Sequence, residues 1–327
     1  MRFLKKILKW LMLILLSVII LVVAAGLLLK LFTSAPEPTG KLYDVGGFSL
    51  HLDCRGVSQN QPTLIVESGA GTPAISYYWI QEALSRDLRV CTYDRAGLGF
   101  SEASDTSRDA DTVSHELHAL LQAADIQPPY LMAGHSLGGP YVRVFADNYP
   151  SEVAGLIFLD SSHPEQTERL DFPTPSTSIY SAAAIAADIG VLELYLTLFD
   201  STEKPDDLPQ AQQAVRQSMY RNGKMLRAAL KEVESLQPIL DRAGETADFG
   251  DIPILVFTAG SQPEEMLISM GIDPDNLKKV WAEMQLELTE LSSNGKQFTL
   301  NEGSHMSIIT DKSQADFIVS EVRKQLK

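Results

Sequence analysis

Six residues, Gly134-His135-Ser136-Leu137-Gly138-Gly139, restrict what this chain can fold into more than any other stretch. The apolar run Tyr130-Leu131-Met132-Ala133 before them reads as a strand. Residues 140–146 after them have the apolar spacing of a helix. A serine lifted on a sharp turn between strand and helix needs glycine two residues before and two after it, because the two elements then approach without side chains between them. Its hydroxyl stands at a helix N-terminus, where free N–H groups and the helix dipole favour developing negative charge.

The rest of the chain alternates strand and helix. Strands are predicted at 63–67, 89–93, 154–160, 252–258 and 296–300, after a hairpin about Gly46-Gly47. Helices are predicted at 77–88, 111–124, 276–292 and 312–326, and this rhythm predicts a parallel sheet covered on both faces. Between 161 and 250 it gives way to a proline-rich loop and helix-like stretches at 179–199, 208–222 and 223–236.

The N-terminus is different in kind. Residues 10–29 are uncharged and nearly all apolar, long enough to cross a bilayer as a helix. Arg2, Lys5, Lys6 and Lys9 precede the run and Lys30 follows it, so the N-terminus is expected in the cytoplasm and the folded body outside. A cleaved signal peptide is the competing reading, but its apolar core is usually shorter. The chain carries a net charge of −15, which leaves the body near −20 once the five N-terminal cations are set aside. Phosphates would repel such a body, so nucleic acid is not an expected partner.

Four features together resemble the α/β-hydrolase family: the turn Ser68-Gly69-Ala70-Gly71 after an early strand, Tyr93-Asp94-Arg95-Ala96-Gly97-Leu98-Gly99-Phe100-Ser101, the serine turn, and Gly303-Ser304-His305 near the C-terminus. The resemblance covers residues 42–327. It implies an α/β fold with a mostly parallel eight-stranded sheet flanked by helices and a helical cap after the sixth strand. The expected organisation is an anchor at 1–32, a linker at 33–41, a hydrolase core at 42–160 and 251–327, and the cap at 161–250.

The resemblance also implies the site. Ser136 would be the nucleophile and His305 the base that takes its proton. The acid has two candidates: Asp160, which closes the sixth strand and is preferred, and Glu264, in the loop after the seventh strand where most of the family has an aspartate. The backbone N–H groups of Leu137 and Ala70 would form the oxyanion hole. Cys54 and Cys91 would lie on neighbouring strands, where a disulfide can form. Asp94 and Arg95 are read as organising the loop beside the site.

The other histidines are weaker candidates. His163 could line the pocket, and His135 should pack beneath the turn. His115 and His118 lack the four-residue spacing of a helical zinc site, and His51 has no evident partner. No metal or cofactor is expected. The expected partners are a small acyl or ester substrate and the membrane, and the expected activity is that of a membrane-anchored serine hydrolase acting on a carboxylic ester. An acyltransferase, a cofactor-free haloperoxidase-like enzyme and a catalytically silent binding protein remain open alternatives.

Overall fold

A computed structural model describes residues 2–33, 36–57, 61–170, 177–199, 207–261, 267–268 and 272–325. Its centre is one eight-stranded sheet in the order β1-β2-β4-β3-β5-β6-β7-β8. The strands are β1 (Lys41–Asp44), β2 (Ser49–Arg55), β3 (Thr63–Glu67), β4 (Val90–Asp94), β5 (Tyr130–His135), β6 (Val153–Leu159), β7 (Ile254–Ala259) and β8 (Gly295–Leu300). β2 runs antiparallel to both β1 and β4, and every other pairing is parallel. β3 to β7 are buried along their whole length apart from Ala154. That is why they read as continuous apolar runs, with no alternation.

Two apolar layers cover the sheet. One gathers Ile65, Met132, Phe145, Phe158 and Val256 on one face. The other gathers Leu64, Val66, Ile157, Phe257, Ile318 and Val319 on the opposite face. Among the described residues, the helices outside the stretch between β6 and β7 include α1 (Arg2–Phe32), α2 (Tyr78–Leu84), α3 (Ala110–Ala123) and α4 (Gly138–Asn148), then α11 (Pro274–Glu287), α12 (Ser307–Thr310) and α13 (Lys312–Gln325). α1 is the one helix among the described residues that is long and apolar enough to cross a membrane by itself.

Among the described residues, six helices lie between β6 and β7: α5 (Gln166–Arg169), α6 (Thr177–Asp188), α7 (Val191–Phe199), α8 (Gln210–Tyr220), α9 (Gly223–Glu234) and α10 (Leu236–Gly244). The stretch expected as one helix over 179–199 is broken. Gly190 has φ +79° there, and α6 and α7 meet at 92°. α10 lies beyond the predicted cap helices, since Pro238 sits in its first turn, where the missing N–H costs nothing. The helix expected over 77–88 is shorter, a 3₁₀ turn at Ala74–Tyr77 followed by α2.

Cys54 and Cys91 face each other across β2 and β4 and are joined in a disulfide.

Candidate active site

The serine turn has the backbone that its glycines imply. Ser136 holds φ +52°, a strained value for a residue with a side chain. Its surroundings hold it there: Ser136 N–H donates to Leu159 O (3.2 Å), and Ser162 N–H donates to Ser136 O (2.9 Å). A Cβ on Gly134 would lie 2.4 Å from Gly138 O, and one on Gly138 would lie 2.3 Å from Glu67 O. Any larger residue at either position would push strand and helix apart.

The loop after β3 lies over this turn. A Cβ on Gly69 would come within 3.1 Å of Ser136 Cβ. The N–H groups of Ala70 and Leu137 donate to no described residue, which leaves both available to a ligand. The loop is clamped from below and from α9. Arg95, buried, donates to Ser68 O (2.7 Å) and Gly69 O (2.9 Å), and grips Glu232 of α9 through two nitrogens (2.7 and 2.9 Å). Glu232 also accepts from Gly71 N–H (2.8 Å). Glu67 takes Arg95 on its other side, with Tyr93 OH donating to it. Burial pushes the Glu67 carboxyl above its usual range, against the pull of Arg95.

His305 enters from the loop after β8. Its Nδ1 is 2.7 Å from Asp160 Oδ2. Asp160 follows β6 with φ +43° and is 1% exposed. Its other oxygen accepts from Trp281 Nε1–H of α11 (2.8 Å) and from Ala259 N–H (2.9 Å). Burial alone would raise this carboxyl. The His305 contact, the Trp281 N–H and the Ala259 amide overcome that and hold it below its usual value. With Nδ1 engaged, Nε2 of His305 is the nitrogen left to exchange a proton. No hydrogen bond joins Ser136 Oγ to His305 here, and such bonds often tighten only when substrate is bound. Glu264, the alternative acid, lies outside the described residues.

A second chain of contacts ties the parts together. Gly69 N–H donates to Tyr77 Oη (2.9 Å), and Tyr77 Oη lies 3.1 Å from His135 Nδ1. His135 Nε2 is 2.9 Å from the carbonyl oxygen of His305. A carbonyl can only accept, so Nε2 carries the proton and Tyr77 donates to Nδ1. Burial and the neighbouring His305 push the His135 pKa down to about 3, so its ring is neutral at ordinary pH. His135 thus does more than pack beneath the turn, because it links the loop of Gly69 to the loop of His305. Tyr77 carries no motif. Only its place a few residues after the small-residue turn points toward the site.

The remaining histidines make contacts elsewhere, and His115 stands edge-on to Tyr149. His51 does have a partner, Asp94, at 2.9 Å, and Asp94 also accepts from Ala74 and Phe100 N–H. His118 stacks on Tyr149 and reaches Glu152 at 3.2 Å. His163 faces Glu287 at 3.4 Å, and with Glu165 these ligand atoms lie within 4.8 Å of one another. Arg169 already binds both Glu287 oxygens at 2.8 Å, which neutralises that carboxylate.

The family pattern described as the alpha/beta hydrolase fold matches residues 62–311. The chain belongs to the alpha/beta hydrolase family. An AB hydrolase superfamily protein of Gibberella zeae is 26% identical over 301 residues, 85% of this chain and 91% of that one. A pimeloyl-[acyl-carrier protein] methyl ester esterase of Shewanella is 35% identical over 115 residues, 35% of this chain and 39% of that one. The fold resembles a thermophilic esterase from Thermogutta terrifontis with a TM-score of 0.57, at 16% identity over 90% of this chain and 98% of that one. The hydrolase chain spans 39% to 56% of the length of two Bacillus subtilis relatives and a Schizosaccharomyces pombe relative.

Proposed function

We propose that this chain is a membrane-anchored serine hydrolase that opens a carboxylic ester or related acyl bond through an acyl-enzyme. The observation that carries this reading is the contact of His305 Nδ1 with the buried Asp160 carboxylate, beside the strained turn at Ser136. Ser136 Oγ bonds to the acyl carbon as its proton passes to His305 Nε2. The carbonyl oxygen becomes an oxyanion on the N–H groups of Ala70 and Leu137. Collapse breaks the bond to the leaving alkoxide, which takes the proton from His305. Water then attacks the acyl-enzyme, giving a proton to His305, and Ser136 leaves with that proton restored. Asp160 holds the His305 tautomer and balances the imidazolium formed in each half. The esterase among the relatives is in keeping with this chemistry.

The anchor in this reading is α1, with its basic N-terminal cluster in the cytoplasm and the body outside. The disulfide suits that compartment.

Fluorophosphonate labelling of the full chain tests the site. Wild type labels, Ser136→Ala does not, and Asp160→Asn slows labelling by about 10⁴-fold, as loss of a triad acid does elsewhere. A folded wild-type chain that takes no label would overturn the assignment.

A further inference from the structure

We infer that the elbow of α6 and α7 is a second membrane-seated element, immersed in the outer leaflet beside α1, with phospholipid as its partner. The inference rests on the reading of α1 as an anchor. α1 packs along α7, and Gly26 is its one fully buried residue, ringed by the half-buried Val22, Val23, Ala25, Leu29 and Lys30. The crossing is backbone on backbone. A Cβ on Gly26 would lie 2.1 Å from Gly190 O, and one on Gly190 would lie 2.4 Å from Gly26 C. Lys30 Nζ then donates to Ala187 O at the end of α6 (2.8 Å).

This crossing sets a depth. The apolar run of α1 ends at Leu29, so a rise of 1.5 Å per residue puts Gly26 about 4.5 Å and Val22 about 10 Å inside its outer end. Amphipathic helices that lie in a membrane interface sit about 5–10 Å deep. The surface α6 and α7 present fits that position. Tyr195, Leu198 and Phe199 are 57%, 64% and 64% exposed at helical spacing, and Ile185 and Ile189 continue the patch. The single charge on α7, Glu193, is turned inward onto Arg221 (2.9 Å).

The charges beside the elbow complete the fit. A cavity of about 410 Å³ opens where the chain leaves α1, lined by Lys30, Thr33, Arg221 and Lys224 among others. Lys30 donates to the backbone carbonyl of Ala187 and Lys224 to those of Gly99 and Ser101, with Asp94 and Glu102 also attracting Lys224, and Glu193 in the same lining is taken up by Arg221. On a body whose net charge is near −20, cations gathered at headgroup level are the complement of an anionic lipid surface.

The test uses the full chain in sealed vesicles of phosphatidylcholine and phosphatidylglycerol, with and without bromine on the acyl chains. An environment-sensitive fluorophore is placed by Leu198→Cys, by Leu16→Cys inside the anchor, and by Ala247→Cys at an exposed position just before the start of β7. Emission from position 198 should fall about twofold or more with brominated lipid, as a depth of about 5–10 Å requires. Position 16 should fall likewise and position 247 should not. If 198 behaves like 247 while 16 is quenched, the elbow lies in water and the inference fails while the anchor stands. If 16 is not quenched either, the anchor reading falls and takes this inference with it.

Discussion

His135 shows how a single buried ring couples the site to pH. Its folded pKa, about 3, lies below the ordinary 6.5. Between those values the unfolded chain binds a proton that the folded chain excludes, so this residue makes stability rise with pH. Its contribution is complete above about 6.5, and it is lost at about 1.4 kcal/mol per pH unit as the pH falls toward 3. Asp160 acts in the same direction in a lower window. Its depressed carboxyl contributes stability above its unfolded value, which is lost as the pH falls through the folded one. His135→Gln keeps a donor for His305 O and an acceptor for Tyr77 but removes the titrating ring. Urea unfolding at pH 7, 5.5 and 4.5 should therefore show a flatter acid limb in the variant than in wild type. An unchanged slope would mean that His135 is not held neutral in the folded state.

At the scale of elements, one arginine ties α9 to the loop of Gly69 and the end of β3, beside other contacts across the same seam. Arg95 follows β4, lies under the loop of Gly69 and grips Glu232 from α9, with Glu67 on its other side. Arg95→Met leaves two buried carboxylates, Glu67 and Glu232, without their cation and should cost about 3–5 kcal/mol of stability. Arg95→Lys keeps the charge but not the fork. It cannot hold Ser68 O, Gly69 O and both Glu232 oxygens together, so this variant should fold and label more slowly with fluorophosphonate. Wild-type labelling in Arg95→Lys would show that the clamp serves the fold alone. The strands and the sharp turn were legible because buried parallel strands leave apolar runs and strained turns leave glycines. Arg95 was legible as an organiser of its loop, but Glu232 was not, since 137 positions separate it from Arg95 and a glutamate in an amphipathic helix looks like any solvated one. The same holds for His51 and Asp94, and for Trp281 on Asp160: nothing local marks a contact made only when distant segments meet. The break at Gly190 was hidden differently, because apolar residues on both sides of it keep helical spacing across the bend.

For the whole molecule, charge and covalent chemistry argue the same orientation. Five cations and no acid lie within the first 32 residues, four of them before the apolar run, and the body beyond is strongly acidic. In the proposed reading of α1 as an anchor, retaining those four on the cytoplasmic side would carry the body out. There Cys54 and Cys91, opposite each other on β2 and β4, can stay oxidised, whereas a cytoplasmic body would have its thiols kept reduced. The two arguments are independent, so they can be tested against each other in one preparation. In intact expressing cells stripped of any outer wall, added protease should digest the body while an epitope placed before Arg2 stays protected. When those cells are then dissolved in denaturant with a thiol reagent, Cys54 and Cys91 should be modified only after reductant is added. A protected body with freely reactive thiols would reverse the orientation and put Ser136 on the cytoplasmic face. A digested body with reactive thiols would leave the orientation standing and remove the disulfide from its support.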